Sequence, residues 1–419
     1  MNCANTTPRI AIACGGTGGH IFPGMAVAEQ LRRRGCAVTL LLSPKEVDRL
    51  AVKNVSGIEI AVLPAVGLTR AGRLGFLRGF VASFFLARKL FRLQPPQAVL
   101  AMGGFTAAPP VFAAWLMGIP AFLHESNTVP GRANRLLARV VKLAFVGFPE
   151  AAGRLSTPQT TVTGTPVRPQ FQPRKAAACR TAFGLQPDRP VVLVMGGSQG
   201  ASGINDLVLA ALPQLQQRAP QMQWLHLAGS KQFQAVGAAH RTLGEGHTAV
   251  VHEFLTEMEL ALGAATVAVS RAGASSLAEL AAMQLPAILI PFPAATDNHQ
   301  LHNANAFAET NAARILEQKD ATPERFADML LQLIQNPQEI ESLKSGLAQW
   351  HKPEAADQIA ESILEIVTAR LRRKSCESVV GSPDSRVSRV GLSAGAMPHP
   401  RAVSIKAKED NLFSEEATA

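Results

Sequence analysis

The sequence predicts an α/β protein built from two Rossmann-like, doubly wound domains with a cleft between them. Three observations carry that expectation. Short apolar runs alternate with longer helical patterns. The alternation restarts after the turn-rich residues 164–169. Each half opens with a strand that runs straight into a glycine cluster, residues 15–19 and 196–200. A chain of 419 residues is long enough for two cores of ordinary size.

In the first half, residues 10–14, 38–42, 98–102, 121–124 and 143–146 are nearly unbroken apolar runs, as buried parallel strands are. Residues 24–34 read as a helix, with Met25, Val27, Ala28 and Leu31 on one side and Arg32, Arg33 and Arg34 where cations suit the dipole. Residues 93–123 carry no charge and could span a bilayer core of about 30 Å. Pro95, Pro96, Pro109, Pro110 and Pro120, with Gly103, Gly104 and Gly118, cut that stretch into a strand, a loop and a buried helix instead. In the second half the strands are residues 190–195, 223–227, 249–252, 267–270 and 287–290. A last helix covers 354–374, with Ile359, Ile363, Ile366, Val367 and Leu371 on one face. The expected organisation is an N-terminal domain of residues 1–166 and a C-terminal domain of 167–352. A helix at 353–374 then packs back toward the first domain. The tail, 375–419, is rich in Ser, Gly, Pro and mixed charge and is expected to be disordered.

Lys and Arg outnumber Asp and Glu by 41 to 31, which favours a polyanionic partner: nucleic acid, anionic lipid or a phosphorylated substrate. The chain has no Tyr, is 5% aromatic and carries no RNA- or DNA-binding motif, so no nucleic-acid partner is expected. Cys3, Cys14, Cys36, Cys179 and Cys376 lack CxxC or zinc spacing, which predicts neither a disulfide framework nor a metal site and fits a reducing cytoplasm. Residues 1–8 do not read as a secretory signal.

A strand, glycines and then a helix aim unpaired N–H groups and a positive dipole at an anion, so both glycine loops suit phosphate. The first is not the dinucleotide fingerprint. Counted from Gly16, the third glycine would fall at Ile21, and no acidic residue closes strand 38–42. No GK[ST] follows either loop, which excludes a P-loop. A third loop, residues 270–276, precedes a helix expected at 277–283 and places Glu279 in its first turn. There Glu279 either accepts from a sugar diol or complements the dipole. Residues 291–300 follow the next strand, and Asn298 and Gln300 offer paired donors and acceptors for sugar hydroxyls. No Asp-x-Asp occurs, so metal assistance, and any cofactor, is not expected. Leaving-group charge would be met by backbone N–H groups and helix dipoles.

Together, GGTGGHIFPG at 15–24, HESN at 124–127, GTPVR at 164–168, GGSQGA at 196–201, SRAGASSLAE at 270–279 and PFPAATDNHQ at 291–300 resemble the MurG family. These bacterial transferases complete the disaccharide of the peptidoglycan precursor. The motifs stand in family order over about residues 9–372. The resemblance implies a GT-B fold, an inverting transfer, an acceptor mainly on the N-terminal domain and UDP-N-acetylglucosamine mainly on the C-terminal one. It implies donor contacts from Thr17, Gly18, Gly19, Asn127 and Arg168, and a phosphate contact from Ser198. Leu255 would meet the uracil. Ala274, Ser275, Ser276, Leu277, Ala278 and Glu279 would cradle diphosphate and sugar, with Glu279 on the ribose diol, and Gln300 would read the N-acetylglucosamine hydroxyls. HESN, GTPVR and SRAGASS stand where HEQN, GNPVR and SRSGALT are common in the family.

Direct displacement needs a base at the acceptor hydroxyl. His20, capping the first glycine loop, is the first candidate, with loop orientation or phosphate binding as its alternative role, and Glu125 is the second. The implied acceptor is a muramyl peptide on undecaprenyl pyrophosphate, so the enzyme is expected at the cytoplasmic face of the inner membrane, peripherally, beside other cell-wall synthesis proteins. Arg70, Arg73, Arg78, Arg88, Lys89 and Arg92 surround Leu74, Phe76, Leu77, Phe80, Val81, Phe84 and Phe85, an arrangement able to rest on anionic lipid; an ordinary core helix with basic ends is the alternative. Trp115 and Lys142 would extend the patch. Competing readings are a glycolipid-forming galactosyltransferase, a UDP-N-acetylglucosamine 2-epimerase and a nucleic-acid-binding protein.

Overall fold

The computed structural model describes residues 7–53, 55–197 and 200–380. The first half folds as β1 (Arg9–Ala13), α1 (Gly18–Arg33), β2 (Ala37–Leu42), α2 (Glu46–Ala51), β3 (Glu59–Val62), α3 (Leu68–Leu93), β4 (Ala98–Ala101), α4 (Ala108–Leu116), β5 (Ala121–Glu125), α5 (Arg132–Leu137), β6 (Leu143–Val146), α6 (Pro149–Ala152) and β7 (Thr160–Val162). Its strands are all parallel, in the order β3-β2-β1-β4-β5-β6-β7. The second half continues with α7 (Ala176–Ala182), β8 (Val191–Met195), α8 (Ser202–Arg218), β9 (Gln223–Leu227), α9 (Phe233–Arg241), β10 (Thr248–His252), α10 (Met258–Ala264), β11 (Val267–Ser270), α11 (Ala274–Met283), β12 (Ala287–Leu289), α12 (His299–Glu309) and β13 (Arg314–Ile315). Its parallel order, β10-β9-β8-β11-β12-β13, repeats the first. α13 (Pro323–Gln335), α14 (Pro337–Trp350) and α15 (Ala355–Val380) complete the chain.

In both sheets the order of strands reverses beside the first strand, between β1 and β4 and between β8 and β11. Open parallel sheets leave a crevice for ligands at such a point, outside the carboxyl ends of the strands. Apolar side chains cover both faces of each sheet, which is why the central strands are mostly hydrophobic. α15 sends Ala356, Ile359, Ala360, Ile363 and Val367 into the core that contains Ile10, Ile12, Leu31 and Phe122 of the first half, and Arg34 pairs with Asp357 at 2.6 Å.

Several elements differ from the expectation. β3, β7 and β13 are edge strands, none with a buried residue, and are not among the expected strands. α1 begins at Gly18 rather than at residue 24, with Pro23 inside it, so His20 stands in the first helical turn and does not cap a loop. α11 begins at Ala274, three residues earlier than expected, which places Glu279 in the second turn and weakens its role as a dipole partner. α15 reaches Val380, so residues 375–380 are helical, not part of a disordered tail; 381–419 lie outside the described residues.

Candidate active site

Four loops leave the two reversal points: residues 14–17 after β1, 102–107 after β4, the loop after β8, described at 196–197 and 200–201, and 271–273 after β11. The first and last meet. Ser275, in the opening turn of α11, donates from Oγ to the Gly19 carbonyl at 3.1 Å. That carbonyl is available for a reason written in the sequence. In an unbroken helix it would accept from the N–H four residues on, and residue 23 is a proline with no N–H to give. The first turns of the two helices are thereby held together, and the first N–H groups of each have no partner within their own helix.

His20 points toward the loop after β4. A Cβ on Gly103 would sit 3.1 Å from the His20 Cε1, and one on Gly104 would sit 3.0 Å from Cδ2. Both glycines have positive φ, 102° and 75°, so they make the turn and give the ring room. His20 Nδ1 is buried without a hydrogen-bond partner. Burial pushes the imidazole below its ordinary value, the Glu125 and Asp48 carboxylates and the Met102 carbonyl pull it back up, and Lys45 adds to the lowering. A neutral imidazole is able to accept a proton.

Glu125 is placed differently from a free base. It is 2% exposed, and its two oxygens accept four hydrogen bonds. Oε1 takes the Asn127 backbone N–H at 2.9 Å and its Nδ2 at 3.0 Å, and Oε2 takes the Gly131 N–H at 2.9 Å and Asn134 Nδ2 at 2.7 Å. This carboxylate organises the loop between β5 and α5. The same loop reaches the second half through Asn303 of α12, which is fully buried. Asn303 Oδ1 accepts from the Thr128 N–H and hydroxyl, each at 3.0 Å, while Nδ2 donates to Asn127 Oδ1 and to the Ala272 carbonyl, each at 3.1 Å. One side chain thus joins the loop after β5 to the loop after β11. Arg135 pairs with Asp297 at 2.5 Å across the same boundary.

Arg168, on the connection between the sheets, lies with its guanidinium 4.3 Å from the Phe22 ring and 4.9 Å from the Phe171 ring, and 3.9 Å from Glu279. Burial raises the Glu279 carboxyl to about 7, opposed by Arg168 and assisted by Glu259. Gln300, the second residue of α12, accepts the Phe292 N–H at 2.9 Å on its amide oxygen and keeps its NH₂. Leu255 packs partly buried against the second core beside a Phe254 that is 41% exposed. Thr17 is exposed and immediately precedes α1. Ser198 lies outside the described residues.

Contacts between the halves thus join Gly19 to Ser275, Asn127 to Asn303, and Phe22 through Arg168 to Glu279; Leu277, Leu280, Ala281 and Ala282 of α11 are instead buried in the second core, and the bond of Gln300 is to Phe292. Asn303, Phe22 and the Gly103–Gly104 pair were missed. The glycine pair had a usable signal, since it follows a strand as the other glycine loops do.

The sequence matches the glycosyltransferase family 28 N-terminal domain over residues 10–146 and the family 28 C-terminal domain over residues 191–359. An N-acetylglucosamine transferase of Anaeromyxobacter dehalogenans, described as acting with UDP-N-acetylglucosamine and N-acetylmuramyl-(pentapeptide) pyrophosphoryl-undecaprenol, is 34% identical over 405 residues, 94% of this chain and 99% of the relative. The chain belongs to the MurG family of glycosyltransferase family 28. A transferase of the same description from Xanthomonas axonopodis pv. citri is 35% identical over 93% of this chain and 91% of its own length. The crystal structure of Acinetobacter baumannii MurG superposes with a TM-score of 0.66 at 28% identity, covering 85% of this chain and 99% of that one. This is the two-Rossmann-domain GT-B fold. A UDP-GlcNAc 2-epimerase from Neisseria meningitidis reaches a TM-score of 0.63 at 14% identity, covering 85% of this chain and all of the epimerase, and shares the fold alone.

Proposed function

We propose that the enzyme transfers N-acetylglucosamine, with inversion, from its UDP-sugar to MurNAc-pentapeptide on undecaprenyl pyrophosphate. Family membership across both domains supports this, and the observation that carries the site is the meeting of the α1 and α11 N-termini at Gly19 and Ser275. An anionic diphosphate is the ligand that two adjoining helix N-termini favour. Residues 274–279 then hold diphosphate and sugar, Arg168 and Glu279 face the nucleoside end, and Gln300 and Asn127 address the sugar. His20 takes the proton from the acceptor hydroxyl while the helix N–H groups receive charge on the departing UDP. Glu125 acts through the Asn127–Asn134 loop that it holds.

The acceptor tail calls for a membrane surface, and α3 offers one. Among the described residues no helix is long and apolar enough to cross a membrane. Leu74, Leu77, Val81 and Phe85 recur at helical spacing and are 73, 56, 43 and 59% exposed, flanked by exposed Arg73, Arg78, Lys89 and Arg92. Trp115 and Leu116 on the neighbouring α4 are 54 and 62% exposed. Phe80 and Phe84, expected on this patch, instead pack partly buried against the first core, Phe80 beside Phe112 at 6.2 Å. An amphipathic face of this kind rests on anionic lipid, at the cytoplasmic side where a nucleotide sugar is available. The position of other cell-wall proteins beside it belongs to the same reading.

The test is transfer of radiolabelled N-acetylglucosamine from the UDP-sugar to a short-chain lipid-linked muramyl peptide in EDTA, with UDP-galactose plus diacylglycerol as control. Labelled disaccharide lipid in EDTA is the expected result. Activity only in the control, or epimerisation of the free donor, would replace the substrate assignment.

A further inference from the structure

The first glycine loop is gripped from beneath by the segment that follows β2. Asp48 of α2 is fully buried, and one of its oxygens, Oδ2, accepts three hydrogen bonds: from the Gly16 N–H at 2.8 Å, the Ser43 N–H at 2.9 Å and the Ser43 hydroxyl at 2.6 Å. Lys45 donates from Nζ to the Gly16 carbonyl at 2.7 Å and lies 5.0 Å from the centre of the Phe105 ring. The N–H and the C=O of Gly16 are thus each fixed by a charged side chain, one of either sign. Gly16 has φ +111°, and a Cβ there would meet the Phe105 ring at 3.0 Å; one on Gly15 would meet the Ser43 nitrogen at 2.3 Å. Nothing bulkier than glycine fits between these groups.

In dinucleotide-binding domains the end of the second strand supplies a carboxylate to a ribose. Here the first carboxylate to turn inward after β2 is spent on the loop itself. Charge-assisted hydrogen bonds are the stronger class, and with one on the peptide group either side of the Gly16 Cα, its φ and ψ have little freedom. Thr17 and the α1 N-terminus begin at the next residue, and His20 stands one turn further on.

We infer that Lys45 and Asp48 are positioning residues for transfer: by clamping the two peptide groups that flank Gly16 they fix α1 and His20 for the acceptor hydroxyl. This rests on the proposed reading of the cleft as the transferase site. Neither side chain is assigned contact with substrate, and apart from the α1 N-terminus the donor contacts proposed above lie mainly in the second domain, so loss of the clamp shows far more in turnover than in donor binding.

Asp48→Asn leaves a buried NH₂ without an acceptor or turns donors onto donors, and it is liable to fold poorly. The deciding variant is Lys45→Met, which keeps an apolar stem over Phe105 and removes only the ammonium. With the full chain, kcat for the lipid-linked muramyl peptide should fall about tenfold or more, while the Kd of UDP-N-acetylglucosamine by calorimetry stays within about threefold. Lys45→Arg, which keeps a donor, should recover most of the turnover. A loss of less than about threefold in Lys45→Met, a proportional loss of donor affinity, or an Arg variant no better than Met overturns the clamp. His20→Ala runs beside them. Full activity there together with a slow Lys45→Met removes His20 as the base and leaves the clamp standing.

Discussion

A row of histidines crosses the second domain and makes its stability depend on pH. His226 Nε2 meets Asn205 Oδ1 at 3.0 Å, His226 Nδ1 meets His240 Nε2 at 3.2 Å, His240 Nδ1 meets His247 Nε2 at 2.9 Å, and His247 Nδ1 meets Gln216 Oε1 at 2.8 Å. Asn205 presents its oxygen because its Nδ2 is committed to the Ala228 carbonyl and to Gln232. Both ends of the row are amide oxygens, so four contacts draw on the three protons of three neutral imidazoles. The neutral row is therefore one proton short, and burial lowers His247 as well. Further protons must charge His226 and His240, which are 0 and 4% exposed. Burial lowers His226 to about 3, with His240 contributing, and lowers His240 to about 4, with His247 contributing.

The unfolded chain holds these imidazoles at about 6.5. With folded values below unfolded ones, the unfolded state binds more protons between them, so the contribution is fully present above about 6.5 and is lost as pH falls toward the folded values. From pH 7.5 to 5.5 each histidine withdraws about 1.4 kcal/mol and the pair about 3 kcal/mol. Other groups titrate as well, Glu279 in the opposite sense because its folded value is raised, so the quantity to compare is the pH dependence of the parent against that of His226→Gln/His240→Gln. Urea unfolding would be followed by the fluorescence of Trp224, 1% exposed and 6.0 Å from the His240 ring, with Trp115 and Trp350 changed to Phe in both proteins. The parent should lose about 3 kcal/mol more than the double variant on acidification. Equal losses, within about 0.5 kcal/mol, would refute the assignment of neutral buried imidazoles.

The remaining predictions concern the cleft and the membrane face. If Glu279, raised to about 7, accepts from a diol, its ionisation strengthens the contact, so the Kd of UDP-N-acetylglucosamine should tighten by up to about tenfold between pH 6 and 8 and stay flat in Glu279→Gln, as calorimetry would register. Asn303→Ala strands the Thr128 N–H and the Ala272 carbonyl in a buried place and should cost about 2 kcal/mol or more in chemical unfolding, with a change under about 0.5 kcal/mol speaking against the junction. Leu77→Asp on the exposed face of α3 removes an apolar anchor worth about 2 kcal/mol and should weaken sedimentation with phosphatidylglycerol vesicles at least tenfold while turnover on a short-chain acceptor is kept; undiminished sedimentation would move the membrane face elsewhere.

What the sequence made legible follows from how each signal arises. Strands buried on both faces are mostly apolar, so 143–146 and 267–270 could be read to the residue, whereas Glu59–Val62 on the sheet edge has Glu59, Ile60 and Val62 exposed and no buried residue. Glycine loops are legible because their φ values and close approaches forbid other residues. What they touch is not legible: the partner of Gly16 is Asp48, 32 residues away, and the partner of Thr128 is Asn303, 175 residues away. Glu125 illustrates the same limit. Its place at a strand end suggested a base, and only the four donors gathered around it give it a holding role.

Pro23 misled the helix boundary for a physical reason that bears on the site. A proline inside a helix ordinarily marks a break, because it strands the carbonyl four residues back. Here the stranded carbonyl is Gly19, and it is satisfied from the other domain by Ser275 rather than from its own helix. The local rule therefore fails at the one place where a distant partner supplies the missing donor. A helix that needs the opposite domain to complete its hydrogen bonding holds its unpaired N-terminal N–H groups against that domain, where a diphosphate between the two would meet both dipoles at once.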